Sequence, residues 1–134
     1  MTFIFDTGSA WTWLPNNDCP KTECTKNIYD YSRSTAYDKT EDEAEVTYGI
    51  GYIKGTVVND DIAIENNQKS AARDVNFLSV FHANQLDTIE SDGLLGLSPK
   101  VIRQEKNMHL LVDQLKVDGV ISKAIFAMYL ADES

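Results

Sequence analysis

Short apolar runs broken by turn residues set the rhythm of this chain. Phe3-Ile4-Phe5 reads as a strand, interrupted by Asp6-Thr7-Gly8 and resumed over Ala10 to Leu14. Residues 19–42 are polar, tyrosine-rich and turn-rich, which predicts a surface excursion holding a few buried aromatics. Glu45-Val46-Thr47-Tyr48 and Tyr52 to Val58 then flank Gly49-Ile50-Gly51. Two β-prone runs around a Gly-x-Gly tip predict a hairpin. Ile62-Ala63-Ile64 and Val75 to Leu78 predict further strands, the first ending at an Asn66-Asn67 turn.

The period changes after Gly93-Leu94-Leu95-Gly96-Leu97. Ser98-Pro99 has the form of a helix entrance, with Ser as cap and Pro in the first turn. Leu110, Leu111 and Leu115 recur near helical spacing, and Asp118-Gly119 ends that segment. Ile125 to Leu130 is β-prone and predicts a last core strand. No repeat, linker or low-complexity tract divides the chain. Together these runs predict an all-β fold: a barrel or sandwich of short strands with one or two short helices, in one domain spanning residues 1–134.

Composition narrows the partners. An apolar content of 43% and a charged content of 25% are those of a globular protein. The formal charge of −9 argues against nucleic acid, whose phosphates need clustered Lys and Arg. An acidic surface suits work at low pH, where protonation relieves self-repulsion. No apolar run reaches the length of a membrane span, and no signal peptide is visible at the N-terminus.

The two cysteines, Cys19 and Cys24, lie close together. Their spacing is too long for a CxxC redox motif. A metal site would need further ligands, and His82 and His109 are remote in sequence. A local disulfide is the favoured reading, and it implies an oxidising compartment. So short a loop gains little from unfolded-state entropy, so its role is to shape the loop.

Asp6 carries the candidate chemistry. It sits between two strand-like segments, on a turn that Gly8 lets close tightly, where a carboxylate is well placed to activate water. Such chemistry needs two carboxyls: repulsion raises the pKa of one, so the pair shares a proton and one group acts as base while the other acts as acid. The sequence contains one Asp-Thr-Gly. Read alone, Asp6 is also an ordinary turn residue, and Tyr48 an ordinary strand aromatic. No Ser sits in a G-x-S-x-G elbow, which argues against a Ser-His-Asp site. Glu41-Asp42-Glu43 reads as a solvated loop. His82 and His109 read as surface or satisfied polar residues, and Asp92, before a Gly in a buried-looking run, as a structural hydrogen-bonding group.

In order, Asp6-Thr7-Gly8-Ser9, Trp13-Leu14-Pro15, the Cys19/Cys24 pair, Tyr48-Gly49-Ile50-Gly51 and Asp92-Gly93-Leu94-Leu95-Gly96-Leu97 resemble the N-terminal lobe of a pepsin-like aspartic protease. The resemblance runs from Phe3 to about Leu130. It implies a pepsin-like lobe with a flap hairpin, and aspartic-type endopeptidase chemistry on a polypeptide substrate, with no cofactor and no metal. Asp6 would be the first catalytic aspartate. Ser9 would hydrogen-bond its outer oxygen, and Thr7 would join the hydroxyl network between two lobes, with Gly8 closing the turn. Tyr48 would be the flap tyrosine, Trp13 its hydrogen-bond partner, and Gly49 and Gly51 would let the tip bend around Ile50. Cys19 and Cys24 would form the family's small disulfide loop. Asp92 through Leu97 would cross behind the active-site loop.

Two departures bear on substrate. Position 50 is Ile, where the family commonly has a hydroxyl residue, and residues 85–90 are more polar than the aromatic-rich stretch near the first substrate pocket of many relatives. The family's opening strands and its second lobe, with the second aspartate, are not among these residues. The resemblance therefore implies a C-terminal lobe as partner, a chain inactive by itself, and a secretory, extracellular, lysosomal or vacuolar setting. The alternatives are a non-catalytic peptide-binding module and a homodimeric retropepsin-type protease.

Overall fold

The structure, a computed structural model, describes residues 1–64, 68–85, 89–99 and 110–130. Its strands are β1 (Phe3–Asp6), β2 (Trp13–Pro15), β3 (Asp38–Tyr48), β4 (Gly51–Ala63), β5 (Ala71–Asn84) and β6 (Gly93–Gly96), followed by one helix, α1 (Leu111–Val117). Short 3-10 turns occupy Tyr31–Arg33 and Gln68–Ser70. The strands form one open, mixed, six-stranded sheet in the order β1-β6-β2-β5-β4-β3. β1 runs parallel to β6, and β2 parallel to β5, while β3, β4 and β5 form an antiparallel meander.

The all-β expectation holds, with a sheet that is open. Within it the strands are longer than the pattern suggested. The predicted Glu45–Val58 hairpin is the tip of a ribbon reaching from Asp38 to Ala63. The first half of β3 is charged and mostly exposed, so it carries no apolar alternation, yet Asp38 and Lys39 pair with Asn59 and Val58. β5 extends the predicted Val75–Leu78 in both directions. At its centre Phe77, Leu78, Ser79 and Val80 are all buried, because both faces of this strand are covered. The second strand is Trp13–Pro15 only, since Thr12 serves as a connector: its carbonyl accepts from Leu78 N–H at 2.9 Å and its hydroxyl from Gly96 N–H at 3.2 Å.

One expectation near the C-terminus is corrected and another is not reached. The helix entrance read at Ser98-Pro99 leads into residues 100–109, which lie outside the described ones; among the described residues α1 starts at Leu111, with Leu110 as its N-cap. Ile125 to Leu130 is not a core strand. It pairs with no strand among the described residues, and its side chains are exposed, Tyr129 by 90%. β-propensity without a partner strand or a face to bury does not make a strand. The predicted Asn66-Asn67 turn, His109 and positions 86–88 also fall outside the described residues.

The core divides by sheet face. Trp13, Ile53, Leu78, Val80, Ala83 and Leu94 pack with both cysteines, and Tyr48 and Val46 close over them. On another side Leu14, Val58 and Phe77 pack with Tyr29 and Tyr37. Leu111 and Leu115 of α1 cover Ala72, Val75 and Leu95. Inside, Asn16 donates to the buried Ser79 hydroxyl at 2.8 Å, and Tyr29 donates to the buried Asp60 carboxylate. Burial first, then its bond to Asp60, keeps the Tyr29 phenol protonated far above its ordinary range.

Candidate active site

Asp6 is the last residue of β1, opposite Gly96 of β6. The turn that follows is held from behind by the backbone beyond β6: Leu97 N–H donates to Asp6 O at 2.7 Å, and Ser98 N–H to Ser9 O at 3.0 Å. This crossing is tight. A Cβ on Gly96 would sit 2.5 Å from the Ala10 carbonyl carbon and 2.6 Å from its oxygen, so the Leu94-Leu95-Gly96-Leu97 run can pass behind the loop only because position 96 has no side chain.

The Asp6 carboxylate is half-buried, and its Oδ1 accepts from Gly8 N–H at 2.8 Å. Thr7 and Gly8 are exposed. Ser9 Oγ is buried and has no hydrogen-bond partner among the described residues, so the bond from Ser9 to Asp6 that the resemblance implied is not formed. What the fold delivers is one carboxylate at a strand end, oriented by a backbone N–H, with its second oxygen open to further partners.

The β3–β4 hairpin turns through Gly49 and Ile50, with Tyr48 paired to Gly51. Ile50 at the tip is 53% exposed. Behind the tip, Trp13 Nε1–H donates to the Tyr48 hydroxyl at 2.7 Å, and the two rings meet at 6.3 Å. Trp13 is 4% exposed and lies on β2, which shares β6 as a neighbour with the strand carrying Asp6. The hairpin is thereby tied to the same framework as the aspartate. Trp11 packs half-buried against the same cluster. Cys19 and Cys24 form a disulfide beneath Trp13, as the spacing favoured.

At Gly51 the start of β4 lies tight against the end of β5. A Cβ there would lie 2.0 Å from the Asn84 carbonyl oxygen, so the backbone would have to move. Gly51→Ala is expected to lower stability by about 2 kcal/mol, read from the denaturant midpoint. An unchanged midpoint would mean that the stem can spread at no cost.

Asp92 is a buried carboxylate with a structural role. It is 4% exposed, and its oxygens accept from Thr2 N–H at 2.6 Å, Thr2 Oγ1–H at 3.1 Å, and Asn27 N–H and Nδ2–H at 3.0 Å each. This joins the entry to β1, the loop after the disulfide and the start of β6, and it matches the structural role read from the sequence. The array that sequence reasoning missed is at His82, which was read as a surface or satisfied residue; no local spacing signals its partners, which come from distant segments.

Among the described residues no three His, Cys, Asp or Glu side chains gather as a metal site, and no helix is long and apolar enough to cross a membrane.

The family model described as "Eukaryotic aspartyl protease" matches residues 1–134. The chain belongs to the eukaryotic aspartyl proteases. Plasmepsin IV of Plasmodium falciparum is 35% identical over 96% of this chain and 28% of its own length. Pregnancy-associated glycoprotein 6 of Ovis aries and Rhizopuspepsin-2 of Rhizopus niveus are each 29% identical, over 97% of this chain and 33% of their own lengths. The chain thus spans about a third or less of the relatives it matches, and the aspartyl protease relationship covers all of it.

Proposed function

We propose that this chain is the half of a pepsin-like aspartic endopeptidase that supplies the first catalytic aspartate, Asp6. The observation that carries the reading is the Asp6–Ser9 turn at the end of β1, braced from behind by Leu97 and Ser98, on a sheet that also anchors the Tyr48 hairpin through Trp13. With a second carboxyl facing it, Asp6 would share one proton, and the pair would deprotonate a water while protonating the scissile carbonyl. Gly8 N–H fixes the orientation of one Asp6 oxygen. Thr7 is exposed on the same turn, where it can meet a partner lobe, and Ser9 Oγ, buried in that turn, has no hydrogen-bond partner among the described residues.

Tyr48, Gly49, Ile50 and Gly51 would form the flap, closing on an extended polypeptide that hydrogen-bonds along the hairpin. Trp13 would hold the flap tyrosine. A disulfide at Cys19–Cys24 suits an oxidising compartment, and we place the protein in the secretory, extracellular or lysosomal and vacuolar set.

The 134 residues by themselves supply one Asp-Thr-Gly and are expected to be inactive. The purified chain, assayed on an unfolded polypeptide between about pH 3 and 7, should show no cleavage above background. Acid-dependent cleavage that disappears in Asp6→Asn would overturn this and indicate two copies of Asp6 facing each other in a homodimer. A second lobe that lacks its aspartate would instead support the non-catalytic binding module.

A further inference from the structure

Three distant segments converge on His82. Its Nδ1 lies 2.7 Å from Glu23 Oε2, on the disulfide loop, and its Nε2 lies 3.1 Å from the Tyr52 hydroxyl, on β4. The His82 and Tyr52 ring centroids are 5.5 Å apart. Glu23 Oε2 also accepts from the Ala83 backbone N–H at 3.2 Å, which fixes the carboxylate against β5. An ionised carboxylate only accepts, so Glu23 selects the form of the ring with a proton on Nδ1. In the neutral ring Nε2 then accepts, and the Tyr52 hydroxyl donates to it. When the ring gains its second proton, Nε2–H becomes a donor and the hydroxyl turns to accept. Both contacts survive protonation, and the one to Glu23 becomes charge-assisted.

The surroundings are charged in an ordered way. His82 is the cross-strand partner of Lys54, and Lys54 is the partner of Glu45 on β3. Lys54 Nζ lies 3.0 Å from Glu45 Oε2 and 5.6 Å from the Tyr52 ring centroid. Like charges directly opposite on neighbouring strands repel. Here each cation has a carboxylate on its outer side, Glu45 beside Lys54 and Glu23 beside His82. A protonated His82 therefore completes an alternating row rather than adding an uncompensated charge. Glu23, Tyr52, Lys54 and, one strand further, Glu45 are the titratable groups that the described residues place around it.

Tyr52 follows Gly51 directly, so this cluster grips the hairpin at its stem, on the strand that leads straight into the tip. We propose that Glu23, His82 and Tyr52 are positioning residues for the hairpin: they tie its stem to the Cys19–Cys24 loop. The catalytic consequence rests on reading the hairpin as a flap over Asp6; the tether itself does not.

Amide hydrogen exchange on the intact chain tests the tether. Rates are expressed as protection factors. Glu23→Ala removes the acceptor for His82 and the Ala83 N–H, and should lower protection at Thr47, Tyr52 and Ile53 about threefold. Tyr52→Phe should lower protection at the same amides about threefold. Phe77 and Leu78, in the core of β5, serve as the folding control and should be unchanged throughout. Unaltered hairpin protection in Glu23→Ala or in Tyr52→Phe overturns the proposal. No peptide is cleaved in this measurement, so its failure leaves the role of Asp6 standing, and a failure of Asp6 in catalysis leaves the tether standing.

Discussion

In a protein where Asp6 faces its second carboxyl, Asp6→Asn is expected to lower kcat by roughly a thousandfold or more, a loss of about 4 kcal/mol of transition-state stabilisation. An amide at this position neither takes a proton from water nor shares one with a neighbouring carboxylate. KM should change little, because the hairpin is held by Trp13 and the sheet and not by Asp6. Stability should also change little. The Asp6 side chain accepts the Gly8 N–H, a bond that the Asn carbonyl oxygen can replace, and the backbone bond from Leu97 is untouched. Measuring kcat, KM and the thermal midpoint together separates these effects. A variant that keeps a tenth or more of its activity would remove Asp6 from the chemistry.

Asp92→Ala is expected to act on the fold instead, lowering stability by about 3 kcal/mol. The substitution deletes an acceptor that joins Thr2, Asn27 and the start of β6, and leaves their donors to find water. For a chain of this length that corresponds to a drop of about 10 °C in the thermal midpoint. The effect should depend on pH in a defined direction. Burial alone pushes the Asp92 carboxyl up, but the backbone N–H groups of Thr2 and Asn27, and then their side chains, outweigh it and hold the group below its ordinary value. A carboxyl depressed in the folded state stabilises fully above its unfolded pKa, about 3.9, and loses that contribution as pH falls through this value and on through the folded one. The stability gap between parent and Asp92→Asn should therefore narrow below about pH 4. A gap that stays constant to lower pH would show that the carboxylate charge contributes nothing.

The parts of the site that could be read from sequence are those written in local turn chemistry. Asp6-Thr7-Gly8 announces a tight turn after a strand, and Gly49-Ile50-Gly51 announces a hairpin tip. Asp92 was legible as a structural group because an Asp preceding Gly in an apolar run must find donors. The flanks were not legible. β3 begins among charged residues because it is exposed along most of its length, and the alternation that signals a strand requires a buried face. β5 hides its extent for the opposite reason: four consecutive buried residues show no period of two, and Asp74 takes a positive φ of 53° within the strand. Ile125 to Leu130 shows how β-prone composition misleads when no neighbour completes the ladder. His82 was passed over because its partners come from segments remote in sequence: the register of β4 against β5 brings Tyr52 to it, and the packing of the disulfide loop brings Glu23.

The hydrogen bond from Trp13 to Tyr48 has an optical consequence. An indole N–H donating to a hydroxyl inside a dry cluster emits differently from one that has lost its partner and met water. The chain has two tryptophans, so replacing the half-buried Trp11 with Phe leaves Trp13, bonded to Tyr48 of the hairpin, as the single tryptophan. Trp13 is thus a native reporter of the hairpin's opening, one that needs no dye and can follow it in real time.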